Sequence, residues 1–123
     1  MVVLREEEVL GKFSLYSEEQ PRETPRWELC RALCGECGEW IGQEARPGAE
    51  NGRERLEALA AAEAFYQLTL LDEALTPDSL AAPELKLEMG KRSEKARQLA
   101  QEKRLQCGGL LREQGFYFGS VKA

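Results

Sequence analysis

One short stretch breaks the helical pattern of this chain and constrains its architecture most. Leu85-Lys86-Leu87-Glu88-Met89 alternates apolar and charged side chains, the period of a half-buried strand. A strand needs a partner for its backbone N–H and C=O groups. The rest of the chain reads as helix and offers few strands to supply one. The expectation is therefore a helical protein with an extended insertion, residues 77–92, whose edge is completed by another copy or another protein.

The helices are marked by their ends. Glu6–Phe13 predicts a short helix with Val9, Leu10 and Phe13 on one side, weakened by Gly11. Residues 17–23 read as a polar connector. Thr24-Pro25 starts the first strong helix, because threonine caps the orphan N–H groups and proline has none to lose at the first position. Leu29, Cys30, Leu33, Cys34, Cys37, Trp40 and Ile41 follow helical spacing up to a stop near Gln43–Arg46, before Pro47-Gly48. A second helix over 53–75 presents Leu56, Leu59, Ala60, Ala64, Phe65, Leu68, Leu71 and Ala74, and Thr76-Pro77-Asp78 ends it. Ser93 caps a third, roughly 93–113, with Ala96, Leu99, Ala100, Cys107, Leu110 and Leu111 inward, Gly108-Gly109 as a weak point and Gly115 as its stop. The fold expected is all-α: three main helices and a short N-terminal one in a single domain, 1–123, with a short β-like insertion between the last two helices.

Composition narrows the function. The 123 residues carry a net charge of −5, which argues against broad binding to nucleic acid or anionic membranes. Mean hydropathy is −0.51 and no run of 18 apolar residues occurs, so no membrane span is expected. The N-terminus lacks the basic-then-apolar order of a signal peptide, which suggests an intracellular protein with reduced thiols. The charge is uneven. Residues 1–23 hold three basic and six acidic residues, net −3, whereas 91–112 hold seven basic and two acidic, net +5. The two segments are either solvated faces or surfaces that attract each other.

No catalytic constellation stands out. The chain has no histidine, the commonest general base and metal ligand. Its serines sit in no nucleophile elbow, and no phosphate-binding glycine motif occurs. Cys30, Cys34 and Cys37 share the spacing of a radical-SAM cluster motif. The same three positions form one stripe of an amphipathic helix, where free cysteine behaves as a small hydrophobe. A zinc site using Cys30, Cys34, Cys37 and Cys107 is the weaker alternative, since its fourth thiol stands apart from any knuckle. No cofactor is expected. In the tail, 114–123, Phe116-Tyr117-Phe118 either folds back onto the helices or anchors a partner.

The order of these pieces matters. An acidic helix, Glu6-Glu7-Glu8-Val9-Leu10-Gly11-Lys12-Phe13, precedes a helix ending in Glu39-Trp40-Ile41-Gly42. Ala62-Glu63-Ala64-Phe65-Tyr66 lies in the next, and Glu113-Gln114-Gly115-Phe116-Tyr117-Phe118 closes the chain. In this order the chain resembles the small α-helical head–tail connector (adaptor) proteins of long-tailed bacteriophages and prophages. The resemblance implies a non-enzymatic homo-oligomeric ring between portal and tail-completion proteins, with DNA passing through without specific binding. It implies a place in the bacterial cytoplasm and in the virion. It assigns subunit contacts to Leu85, Leu87 and Met89, and the aromatic tail Phe116, Tyr117 and Phe118 joins them as a candidate interface. The rival reading is a cytosolic helical binding or regulatory module, with or without a cysteine-bound zinc.

Overall fold

A computed structural model describes residues 1–76 and 82–112. Four α-helices follow one another: α1 Glu6–Ser17, α2 Pro25–Glu44, α3 Arg53–Leu75 and α4 Pro83–Gln106, with a 3-10 turn at Ala49–Gly52 before α3. The all-α expectation holds. Among the described residues there is no strand; Ala45 and Leu111 form an isolated antiparallel bridge.

The local signals explain most boundaries. Thr24 is extended, its side chain accepts a bond from the Trp27 N–H at 3.2 Å, and Pro25 occupies the first turn of α2. Three glutamates in the first turn of α1 face its positive dipole end. Its last turn is closed by the Ser17 hydroxyl, which donates to the Phe13 carbonyl at 2.7 Å and accepts from the Glu19 N–H at 3.2 Å. Gly48, at φ 85°, turns the chain between α2 and α3 in a conformation that side chains disfavour.

Helix α3 is the centre. It packs against α1, α2 and α4, so an unbroken run from Leu56 to Ala62 is buried. Alanines at 58, 60, 61, 62 and 64 let neighbouring helices come close. Phe13, Trp27, Cys30, Cys34, Cys37, Ile41, Leu59 and Leu68 complete one core. Phe13 and Trp27 meet with ring centroids 6.3 Å apart.

Two expectations are corrected. The strand at Leu85–Met89 is instead the beginning of α4, which starts at Pro83. Leu85 and Met89 lie one helical turn apart and border a common cleft with Thr69 and Asp72 of α3 and Thr76 just beyond it. That phase continues through Arg92, Ala96 and Leu99. Leu87 alone made the alternation, and it points to solvent, 60% exposed. Gly90 therefore lies inside a helix, and Ser93 caps nothing: its hydroxyl bonds back to the Gly90 carbonyl. Of the expected insertion, residues 77–81 lie outside the described residues, and Ala82 is extended before Pro83. The second correction is the end of this helix. It stops at Gln106, not 113, and the Gly108-Gly109 turn sends the chain back to α2. There the Arg46 N–H bonds to the Leu110 carbonyl and the Arg112 N–H to the Glu44 carbonyl, both at 2.8 Å. Gly115 and Phe116-Tyr117-Phe118 lie outside the described residues.

Candidate functional site: bracing arginines and an exposed helix end

Four arginines decide how the helices are held, and each meets a carboxylate from another element. Glu57 sits on the α3 stripe that continues through Ala61, Ala64 and Leu68, and it is fully buried. Arg5, just before α1, grips it with Nε at 3.0 Å, Nη2 at 2.9 Å and its own backbone N–H at 2.7 Å. Burial alone would raise the Glu57 pKa, but the bonds from Arg5 outweigh it and hold the carboxyl below its ordinary value. The N-terminal entry to α1 is thereby tied to α3.

Arg26 of α2 is clamped between two carboxylates, Glu19 in the α1–α2 connector and Asp72 on α3, with contacts of 2.8 to 3.1 Å. Arg92 of α4 reaches the same Asp72 at 3.1 Å and approaches Glu19 at 3.9 Å. Desolvation pushes the Asp72 pKa up, but the two guanidinium groups bring it below the ordinary carboxylate range. One cluster thus joins the connector, α2, α3 and α4. Arg104, near the end of α4, bridges Glu44 of α2 and Glu63 of α3 at 3.2 and 3.3 Å. Here burial prevails, and the Glu63 pKa is raised despite Arg104.

The cations of α4 also cover aromatic rings. Arg92 lies 5.3 Å from the Phe65 centroid, Arg104 5.3 Å from Trp40 and Lys103 5.8 Å from Tyr16. The acidic N-terminal segment and the basic last helix therefore meet within one chain, through Glu19–Arg92 and Tyr16–Lys103.

The cysteines pack as apolar residues. Cys30, Cys34, Cys37 and Cys107 are buried free thiols. Burial pushes Cys30 up to about 11 and Cys34 and Cys37 up to about 12, and it raises Cys107 too. Cys107 comes from the turn after α4 and gives its thiol proton to the Arg55 carbonyl at 3.2 Å. Among the described residues, no three His, Cys, Asp or Glu are grouped to hold a metal ion. None of the described helices is long and apolar enough to cross a membrane.

Two surfaces remain apolar. At the paired ends of α3 and α4, Leu75, Leu85 and Leu87 are exposed, while Met89 is half-buried against α3. The sequence singled out Leu85, Leu87 and Met89 as one face of a strand; the helix splits them, with Leu85 and Met89 towards α3 and Leu87 outward. The second surface is a groove between residues 1–4 and α2, floored by Cys34, Gly35 and Gly38. Sequence reasoning missed this groove and missed Glu57. The signal for Glu57 was available, since it continues an otherwise apolar helical stripe. No protein-family model, curated protein or solved structure matches the chain.

Proposed function

We propose that this protein is a non-enzymatic structural component of a phage or prophage head–tail connector, assembling as a homo-oligomeric ring between portal and tail-completion proteins. The order of elements and the residues quoted above suggest it. The observation that carries it is Leu87, displayed with Leu75 and Leu85 at the end of the α3–α4 pair. Exposed leucines at one end of a helix pair suit a contact with another chain. A patch of this kind meeting a different patch on the next copy makes a head-to-tail contact, and a head-to-tail contact whose rotation closes makes a ring. Glu57, Glu63 and Asp72 support the same reading, because each pairs with an arginine of another element and helps hold the helices together. The negative net charge suits a channel lining that does not retain DNA. In this role the protein works in the bacterial cytoplasm during assembly and in the virion afterwards.

The test is sedimentation velocity across a concentration series, with and without Leu87→Asp. Wild type should populate a discrete oligomer, and the variant should sediment as a monomer with unchanged helix content by circular dichroism. A wild type that stays monomeric at every concentration, or a variant that assembles equally well, would sink the proposal.

A further inference from the structure

The two halves of α4 are held differently. Over residues 83–95 no side chain of the helix is buried, and the buried positions begin at Ala96. Beneath the first half lies a cleft of about 240 Å³, bordered by Leu85, Met89 and Arg92 on one side and by Thr69, Asp72 and Thr76 on the other. Leu85, 46% exposed, and Met89 face this space without filling it. The opposite wall needs no polar partner. The Thr69 hydroxyl donates to the Tyr66 carbonyl at 2.6 Å, and the Thr76 hydroxyl donates to the Asp72 carbonyl at 2.7 Å.

The helix changes character at one point. Gly90 has no Cβ to restrain its backbone, and the Ser93 hydroxyl donates to the Gly90 carbonyl at 3.1 Å. A serine that bonds back along a helix competes with the helical ladder and favours a bend. Gly/Ser pairs are among the few places where helices kink. Among the described helical glycines, Gly90 is the one whose carbonyl takes a side-chain hydroxyl. Just beyond it Arg92 is fastened, to Asp72 at 3.1 Å and over the Phe65 ring at 5.3 Å from its centroid. The Lys91–Glu88 pair spans the glycine at 3.7 Å, but a pair so exposed is a weak tie. We infer that α4 bends at Gly90: residues 83–89 form an arm that closes on α3 and seats Leu85 and Met89 against Thr69 and Thr76, with Arg92 as the fixed point. Leu85 stands about 7.5 Å along the axis from Gly90, so a bend of about 25° carries it roughly 3 Å towards α3. Leu87 rides on the same arm, and closing changes the direction in which it is displayed. The hinge goes beyond the ring assembly and does not depend on it.

The experiment is methyl relaxation dispersion on the full chain at several protein concentrations, with the Cα shifts of the minor state read by saturation transfer. The methyls of Leu85, Met89, Thr69 and Thr76 should exchange at one common rate in the microsecond-to-millisecond range. That rate should not depend on concentration, and Leu99 and Leu105 should stay silent. The minor-state Cα shifts of residues 84–89 should remain helical. Gly90→Ala should lower the minor population about two- to fivefold, the factor set by the glycine–alanine difference. Leu85→Ala should lower it about tenfold, since closing then buries a methyl in place of a leucine side chain. Silent methyls on both walls in wild type, a population unchanged by Gly90→Ala, or the same exchange extending through residues 93–105 would each overturn the proposal. Coil-like Cα shifts would overturn it by making the event a fraying of the helix end. A rate that rises with concentration would overturn it by giving the event to contact between copies through Leu87.

Discussion

Replacing Gly42 and Gly90 by alanine, one at a time, tests the packing of the N-terminal segment and the helical state of residues 85–91 together. Both glycines lie in helices, so propensity alone favours alanine by about 0.5–1 kcal/mol at each. At Gly90 a Cβ meets nothing, and that gain should appear undiminished. At Gly42 the new Cβ would stand 2.3 Å from the Val2 carbonyl oxygen, so the segment must retreat by about 1 Å to restore an ordinary contact. The retreat breaks the bond from the Val2 N–H to the Gly42 carbonyl, about 1 kcal/mol net. It also exposes Val2, now 3% accessible, at about 1.5 kcal/mol. Subtracting the propensity gain leaves Gly42→Ala less stable by about 1.5–2 kcal/mol. For a chain of this size the expected changes are a melting temperature lower by roughly 6–8 °C for Gly42→Ala and higher by roughly 2–4 °C for Gly90→Ala. Thermal melts followed by circular dichroism at 222 nm read both. A Gly42→Ala melt at or above wild type would refute the docking of residues 1–4 on α2. A Gly90→Ala variant less stable than wild type would refute a helix running through that position.

Other outcomes follow from the buried groups. Asp72 and Glu57 have folded pKa values below their unfolded ones, so the stability they contribute is present above the ordinary carboxylate range and disappears as pH falls through the folded values. Urea midpoints measured from pH 7 to pH 3 should fall on the acid side, and Asp72→Asn should flatten that limb. Glu63 acts with the opposite sign: its raised pKa makes the folded state lose stability as pH rises just above the ordinary value, so Glu63→Gln should remove that loss. With thiols raised to about 11 and 12, Cys30, Cys34 and Cys37 should react with a disulfide reagent at pH 8 only at the rate of opening, and immediately in denaturant. Protein purified without chelator should contain no stoichiometric zinc or iron by elemental analysis, and Cys34→Ala should cost about 1–2 kcal/mol in urea unfolding through lost buried volume.

The sequence disclosed α2 and α3 well, for reasons that are local. Thr24-Pro25 carries its own capping chemistry, and an apolar stripe of 3-4 spacing runs through each helix. The failures came where one local pattern fits two structures. Leu85, Leu87 and Met89 satisfy a period of two, yet Leu85 and Met89 also satisfy a helical turn, and the decisive evidence lay downstream at Ala96 and Leu99. Arg92 masked the continuity, because a guanidinium stands on the stripe where an apolar residue was expected. Gly108-Gly109 was recognised as a weak point, but whether a weak point bends a helix or ends it depends on the Arg46 and Glu44 backbone groups, which pair with Leu110 and Arg112 from 64 and 68 residues away in sequence. The cysteine stripe was read as core from its spacing, and the four thiols are buried. The groove was invisible, since Gly35 and Gly38 mean nothing until it is known that no neighbour crowds them.

Helix α4 is attached in an unusual way, and this shapes how the molecule breathes. Its backbone approaches α3 alone among the helices, and its two buried residues are alanines, 96 and 100. An alanine methyl contributes only about 0.8 kcal/mol of apolar burial. Leu99 and Met89 add partial burial, and cations complete the hold: Arg92, Lys103 and Arg104 reach rings and carboxylates of the other three helices and the connector between α1 and α2. A helix held partly by wetted charges is expected to open before the three-helix remainder, which hydrogen exchange of its amides would read. Its closing is assisted by attraction over a Debye length, about 10 Å at 0.1 M salt. Added salt should therefore speed amide exchange in this helix more than it lowers the melting temperature of the core.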